Sequence, residues 1–143
     1  MPTRFLVHAV LATLIVGGFA LAADALVVSD EERLDQLVDG LVEGEAGDLL
    51  RWVDLSFAPV SLQVPARTVR FEDGDDLAVS DALTDALVAF EASDLSIVQR
   101  ATVIDGDRAT VSVRARAHGE LHDATFHLVR GGSSWWIERL VAR

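Results

Sequence analysis

Apolar and polar positions change their spacing part-way along this 143-residue chain. Early on, apolar residues recur every three or four positions, at Leu34, Leu37, Val38, Leu41 and Val42. That spacing predicts an amphipathic helix. Ser29-Asp30-Glu31-Glu32 opens it as a capping box, with Ser at the cap and Glu three residues later, and Gly44 predicts its stop. A second, short helix is predicted over residues 47–55, with Leu49, Trp52 and Val53 on one face. A third is predicted over residues 77–91, with a stripe of Val79, Leu83, Ala86, Leu87 and Phe90. Between them, Pro59 and Pro65 bound a segment, residues 60–72, that alternates like a strand pair or an extended edge. Asp73-Gly74-Asp75-Asp76 reads as a turn and lacks the acid order of a calcium loop.

After Asp94 the period becomes two. Leu95, Ile97, Gln99, Ala101 and Val103 alternate on one predicted strand, and Ala109, Val111, Val113, Ala115 and Ala117 on the next. A three-residue loop, Asp105-Gly106-Asp107, would set Ile104 opposite Arg108 and Val103 opposite Ala109, so that the apolar faces coincide. A two-residue Asp-Gly turn would oppose Val103 to Arg108, so three residues are expected. A third strand is predicted over residues 121–130. Gly131-Gly132-Ser133-Ser134 turns it into a fourth, residues 135–142, with the register of that hairpin left open. Helices come first and strands last. The expected class is α+β: three N-terminal helices packed on a curved antiparallel sheet, a cone-shaped α+β roll that buries both kinds of stripe.

The first 22 residues follow neither period. Arg4 and the amino terminus supply positive charge, a nearly uncharged run extends from Phe5 to Ala23, and Ala20-Leu21-Ala22 is a small-x-small site for a signal peptidase. Gly17 and Gly18 weaken the helix just before that exit. Two readings stay open. One is a cleaved signal peptide. The other is an uncleaved anchor of roughly 28 Å, at ~1.5 Å per residue, against a hydrocarbon core of about 30 Å. Both leave Arg4 inside and Asp24, Asp30, Glu31 and Glu32 outside. The expected organisation is a signal or anchor over residues 1–22, a linker over 23–28 and one domain over 29–143. The domain is exported to the periplasm or exterior, or held at the membrane by its N-terminal segment.

Composition narrows the chemistry. Cysteine is absent, which removes disulfides, thiolate metal sites and a cysteine nucleophile. A domain of the expected length buries roughly two-thirds of its unfolded surface, enough for a core without cross-links. All 12 basic residues are Arg, and setting aside Arg4 leaves 11 against 23 acids, a formal charge of −12 beyond the leader. Bulk electrostatics therefore argues against nucleic acid and anionic headgroups as partners. Asn is also absent, so no N-glycan can be attached.

The run Gly106-Asp107-Arg108-Ala109-Thr110-Val111-Ser112-Val113 resembles strand residues of nuclear transport factor 2-like (cystatin-like α+β) domains. So does Thr125-Phe126-His127-Leu128-Val129-Arg130, followed by Gly131-Gly132 and Trp135-Trp136-Ile137. Glu45-Ala46-Gly47-Asp48-Leu49-Leu50 is similar to the superfamily's entry to its second helix. The nearest likeness is to small exported bacterial domains of unknown function. Many of those carry a lipid-attachment cysteine, which this chain lacks. The resemblance implies a cone between sheet and helices, where enzymes of the superfamily place Asp, His or Tyr groups. It supplies no catalytic motif that maps residue by residue onto this chain.

Several side chains could carry chemistry. His118, Glu120 and His122 share strand parity and could hold zinc, although Gly119 predicts a turn that would scatter them. His127 could be a general base, and a half-exposed strand histidine is the plainer reading. Asp54 and Asp123 are conceivable pocket carboxylates that are more simply solvated. Asp123 and His127 lie roughly 13 Å apart along one regular strand, too far for a direct dyad. No serine elbow, phosphate loop or dinucleotide fingerprint occurs. Trp52, Phe90, Trp135 and Trp136 are candidates to line an apolar ligand pocket, with core packing as the alternative. Trp135 and Trp136 must face opposite sides of their strand.

The expected function is an exported non-catalytic domain binding a partner protein or a small apolar ligand. The alternatives are a small acid/base enzyme (isomerase, dehydratase or hydrolase) and a structural accessory domain of the envelope. No cofactor, metal or nucleic acid is expected. The membrane enters only through an uncleaved N-terminal segment, and a homodimer is a further option. Cleavage before Ala23 is the expected outcome of mass spectrometry on protein recovered from its native host. An intact leader on membrane-associated product would establish the anchor instead.

Overall fold

The computed structural model describes residues 28–43 and 46–143. The leader (1–22), linker residues 23–27 and the Gly44 stop lie outside the described residues. Among those residues no helix is long and apolar enough to cross a membrane. Two compact units part within the first helix, between Arg33 and Leu34.

Helix α1 spans Asp30–Val42. In the first unit its start is capped as the sequence predicts. Ser29 Oγ accepts the Glu32 N–H at 3.2 Å, and Glu32 Oε2 accepts the Ser29 N–H at 3.0 Å. Each side chain satisfies a backbone donor that the first helical turn leaves unpaired.

The remaining elements belong to the second unit. There α1 buries Leu34, Leu37, Val38 and Leu41. The second predicted helix is smaller than expected: α2 is a single turn, Ala46–Leu49, running into a 3-10 turn at Leu50–Trp52. Val53 is already extended, and Asp54 Oδ1 accepts the N–H groups of Ser56 and Phe57 at 3.1 and 3.3 Å. That side chain stabilises a turn where a helix to Leu55 would need to continue. Helix α3 spans Asp76–Ala86, and a 3-10 turn at Val88–Glu91 completes its stripe. Val79, Leu83, Leu87 and Phe90 are buried. Among the described residues two of the three expected helices are full, and the second is the single turn α2.

Six strands follow the order β2-β1-β6-β5-β4-β3 in one curved sheet. They are β1 (Val60–Val64), β2 (Arg67–Phe71), β3 (Ser96–Asp105), β4 (Arg108–Ala117), β5 (Glu120–Gly131) and β6 (Ser134–Ala142). The segment after Pro59 is the strand pair β1–β2. The sheet is mixed rather than antiparallel throughout, because β1 lies parallel to β6, with Leu62 beside Leu140. The stretch from β1 to β6 contains α3 and the meander, ample length for a parallel return.

The hairpins fix which residues face the helices. Asp105 pairs with Arg108, so β3 and β4 join through two residues, Gly106 and Asp107, not three. Gly106 takes φ 59°, the left-handed conformation that lets so short a turn match strand twist. Ile104 then faces Ala109, and Val103 faces Thr110. The expected apolar stripe of Gln99, Ala101 and Val103 therefore lies on the face away from the helices. A bulge at Val98 restores Ile97 to the side of Ala115. Strand β3 is an edge, exposed along most of its length, so its alternation has little burial to report.

The last hairpin, open in the sequence, pairs Arg130 with Trp135 and Gly131 with Ser134 around Gly132-Ser133. A bulge at Glu138 follows. One face of β4, β5 and β6 thus presents Val111, Val113, Phe126, Leu128, Ile137 and Leu140, all within one core cluster with the helix stripes.

Val111 is fully buried, whereas Val103 is 63% exposed. Val111→Asp should destabilise the domain by on the order of 3–5 kcal/mol, as an unpaired buried charge does. Val103→Asp should cost within about 0.5 kcal/mol, as surface changes do. Chemical denaturation of both variants checks the register. Equal losses would contradict it.

Candidate functional site

Every buried side chain among the described residues is apolar, so the space between helices and sheet holds no buried acid or base. Phe90 and Trp135 belong to that core, each 2% exposed, and Trp52 is half-buried against its border. The Arg130 guanidinium stacks 4.5 Å from the Trp135 ring centre. Trp136, one residue on, stands on the other face. Its ring meets Phe57, centroids 6.5 Å apart, over Gly131. A Cβ at Gly131 would lie 2.7 Å from Phe57, so only glycine allows these rings to close over the strand. The four aromatic candidates are thus divided between core, border and outer face.

The histidines are also dispersed. His118 and Gly119 form the two-residue β4–β5 turn, at φ 53° and 82°. Asp94 holds that turn, its Oδ2 accepting the His118 N–H at 2.8 Å. Glu120 and His122 lie on β5 on the helix-side parity, across from Ala117 and Ala115. Among the described residues no group of three His, Cys, Asp or Glu stands close enough to hold a metal. His127 lies on the outer face with Nδ1 3.4 Å from Thr110 Oγ1. Burial lowers its pKa below the ordinary 6.5, Arg139 lowers it further, and Glu138 opposes them. Asp54 is occupied by its turn, its Oδ1 also accepting from Ser56 Oγ at 2.5 Å.

Asp123 belongs to the most developed polar arrangement. Its carboxylate receives the Arg114 fork across β4–β5, Nε to Oδ1 at 2.6 Å and Nη2 to Oδ2 at 3.0 Å. That bond is the main cause holding Asp123 below the usual carboxylate range; burial opposes it, while the charges of Arg114, Arg143 and His122 assist. The backbones of Asp123 and Arg143 exchange bonds of 2.8 and 2.9 Å, which anchors the last residue beside the pair. Around them lies a hollow of about 380 Å³ on the outer face, lined by Gln99, Ser112, Arg114, Asp123, Thr125 and Arg143 with Ala101 and Val141. The hydroxyls of Ser112 and Thr125 are 3.5 Å apart. A second hollow of about 200 Å³ lies where Phe90, Asp85, Pro65, His122 and Arg143 meet.

Of the residues lining the larger hollow, sequence reasoning singled out Asp123 alone. A signal for the rest exists. With Val111 and Val113 facing inward, Ser112 and Arg114 must face outward, and a two-residue turn at His118-Gly119 sets Arg114 opposite Asp123. The arrangement offers hydrogen bonds and fixed charge.

No protein-family model and no curated protein sequence matches the chain. Solved structures do. A DUF4783 family protein from Bacteroides ovatus aligns with a TM-score of 0.58 at 9% identity, over 74% of this chain and 89% of that one. A ketosteroid isomerase-like protein from Parabacteroides distasonis gives 0.58 at 10% identity, over 78% and 84%. A designed NTF2 protein with a long sheet gives 0.55 at 20% identity, over 78% and 92%. At these identities the likeness is one of fold, and the fold is that of the nuclear transport factor 2-like proteins, as the strand motifs suggest.

Proposed function

We propose that this chain is an exported, non-catalytic binding domain that engages a partner protein through the outer face of its sheet. The observation that carries this reading is the separation of its chemistry. Apolar side chains fill the described helix–sheet interior, while Arg114, Asp123, Arg143, Ser112 and Thr125 gather on the opposite face. A small apolar ligand would need room in the interior, where Phe126, Leu128 and Trp135 are packed against the helix stripes. Export rests on the basic start, apolar run and Ala-x-Ala exit of the leader. Structural neighbours named as isomerases share the fold, and one fold hosts enzymes and binding domains alike.

One observation favours the enzyme reading. Burial and Arg139 lower the pKa of His127 and so favour its neutral ring, the form a general base requires. Against it, His127 stands beside Thr110 and Arg139 on the outer face of the sheet, half-exposed. The sign of its linkage is fixed. The unfolded chain takes up this proton at higher pH than the folded one. His127 therefore adds stability that is complete above the ordinary value and fades as pH falls through the lower folded value.

An NMR titration of His127 should give a midpoint below 6.5. His127→Gln should flatten the corresponding part of the melting temperature's pH dependence. A broad hydrolase and isomerase panel should show no turnover by the full chain. Robust turnover abolished by His127→Ala or Asp54→Ala, with melting unchanged, would establish an enzyme instead.

A further inference from the structure

Charge is distributed unevenly along this acidic chain. Residues 29–94 hold four Arg and 17 acids, whereas residues 95–143 hold seven Arg and five acids. The register then sorts the second group by face. Arg108, Arg114 and Arg116 on β4, and Arg139 and Arg143 at β6, all fall on the outer face, opposite Val111, Val113 and Leu140. Three acids share that face: Asp105, Asp123 and Glu138. Two of them are already engaged, Asp123 by Arg114 and Glu138 by Arg108. Among the described residues no ion pair joins Arg116, Arg139 or Arg143 to a carboxylate, and all three are exposed. A protein of strongly negative charge thus turns one arginine-rich face outward.

We propose that this face docks an acidic segment of a partner polypeptide, whose carboxylates are received by Arg143 at the outer hollow and by Arg116 and Arg139 on either side of it. The inference rests on the binding reading above and names the partner's chemistry. Arginine suits the task, because its planar fork bonds a carboxylate bidentately, the geometry Arg114 and Asp123 already display. Neighbouring strands lie about 4.8 Å apart, and alternate residues of a strand about 6.6 Å. Arg139 and Arg143 stand four residues apart, roughly 13 Å, and Arg116 lies two strands from Arg143, roughly 10 Å across, so an extended segment with acids several positions apart spans all three. The hollow of about 380 Å³ has room for a carboxylate side chain, with Ser112, Thr125 and Gln99 offering further hydrogen bonds.

The whole-chain charge selects between anionic partners. Within a Debye length of about 8 Å the local arginines dominate. A long polyanion or a lipid surface reaches past this face to the acidic residues beyond it and is repelled there, whereas a short acidic segment stays within the face.

The experiment uses the full chain with a fluorescein-labelled octaglutamate peptide, an octalysine control, phosphatidylglycerol vesicles and single-stranded DNA. Octaglutamate should bind saturably and weaken steeply as salt rises from about 50 to about 300 mM. The triple variant Arg116→Gln, Arg139→Gln, Arg143→Gln should lose at least about tenfold in affinity with its melting temperature unchanged. Arg51→Gln, on the 3-10 turn after α2, should bind as wild type. Absence of saturable binding, equal loss in Arg51→Gln, or tighter binding to vesicles or DNA would overturn the inference. So would self-association of the full chain that the triple variant abolishes, since a second copy would then cover the face. A blank peptide arm with a blank turnover panel removes this inference alone. Turnover that depends on His127 removes the binding reading beneath it.

Discussion

The burial of Leu34, Leu37, Val38, Leu41, Val79, Leu83 and Leu87 with one face of β4, β5 and β6 is the interaction on which the second unit depends. The chain has no cysteine, so no covalent bridge shares the burden. Each fully buried side chain of this kind contributes roughly 1.5–3 kcal/mol. Ordering the chain costs about as much in total, so the margin is small and the seam must be complete. The ion pairs around it are of another order. Arg100 reaches Asp35 and Asp39 of α1 at 3.9 and 3.8 Å, with about half its side chain exposed. Pairs of that kind contribute about 0–1 kcal/mol.

That seam makes strand parity strict. A slip of one residue along β4 would drive Ser112, Arg114 and Arg116 into the core and expose Val111 and Val113. Two-residue turns prevent the slip locally: Gly106 at φ 59° and Gly132 at φ 64° each close a hairpin in one register. The bulges at Val98 and Glu138 then correct the faces of the strands that carry them. The arginines of the outer face are therefore placed by the apolar residues between them. Their common direction is a consequence of core packing, and it concentrates on one surface the charge that the rest of the chain opposes.

Much of the fold was legible because burial writes itself into sequence spacing. The α1 stripe apart from the exposed Val42, its Ser29–Glu32 box, the α3 stripe, the alternation of β4 and the positions of β5 and β6 stand in the structure where the pattern put them. The failures are as physical. Alternation on β3 carries no information, because an edge strand is hardly buried on either face. The three-residue loop expected at Asp105-Gly106-Asp107 makes two apolar stripes coincide, and the β3 stripe has no core to enter. The short second helix was read past Val53, where Asp54 bonds its own turn. The β1–β6 pairing joins residues almost eighty positions apart and leaves no local signature. The polar hollow was illegible for a further reason: its members come from four strands, and only the register gathers them.

The same parity explains why the average charge misleads. A formal charge of −11 for the whole chain describes its long-range field, and at that range it repels anions. Contact is decided over a few ångströms, where the outer face presents Arg143 beside a carboxylate already held by Arg114, with Arg116 and Arg139 to either side. The Arg114–Asp123 fork is an internal example of the bond such a face would make with the acidic segment proposed above. An interior packed with apolar side chains uses up the inward positions that could have carried polar chemistry. Among the described residues, hydroxyls, an amide, a histidine and an arginine fork gather instead on the outer face.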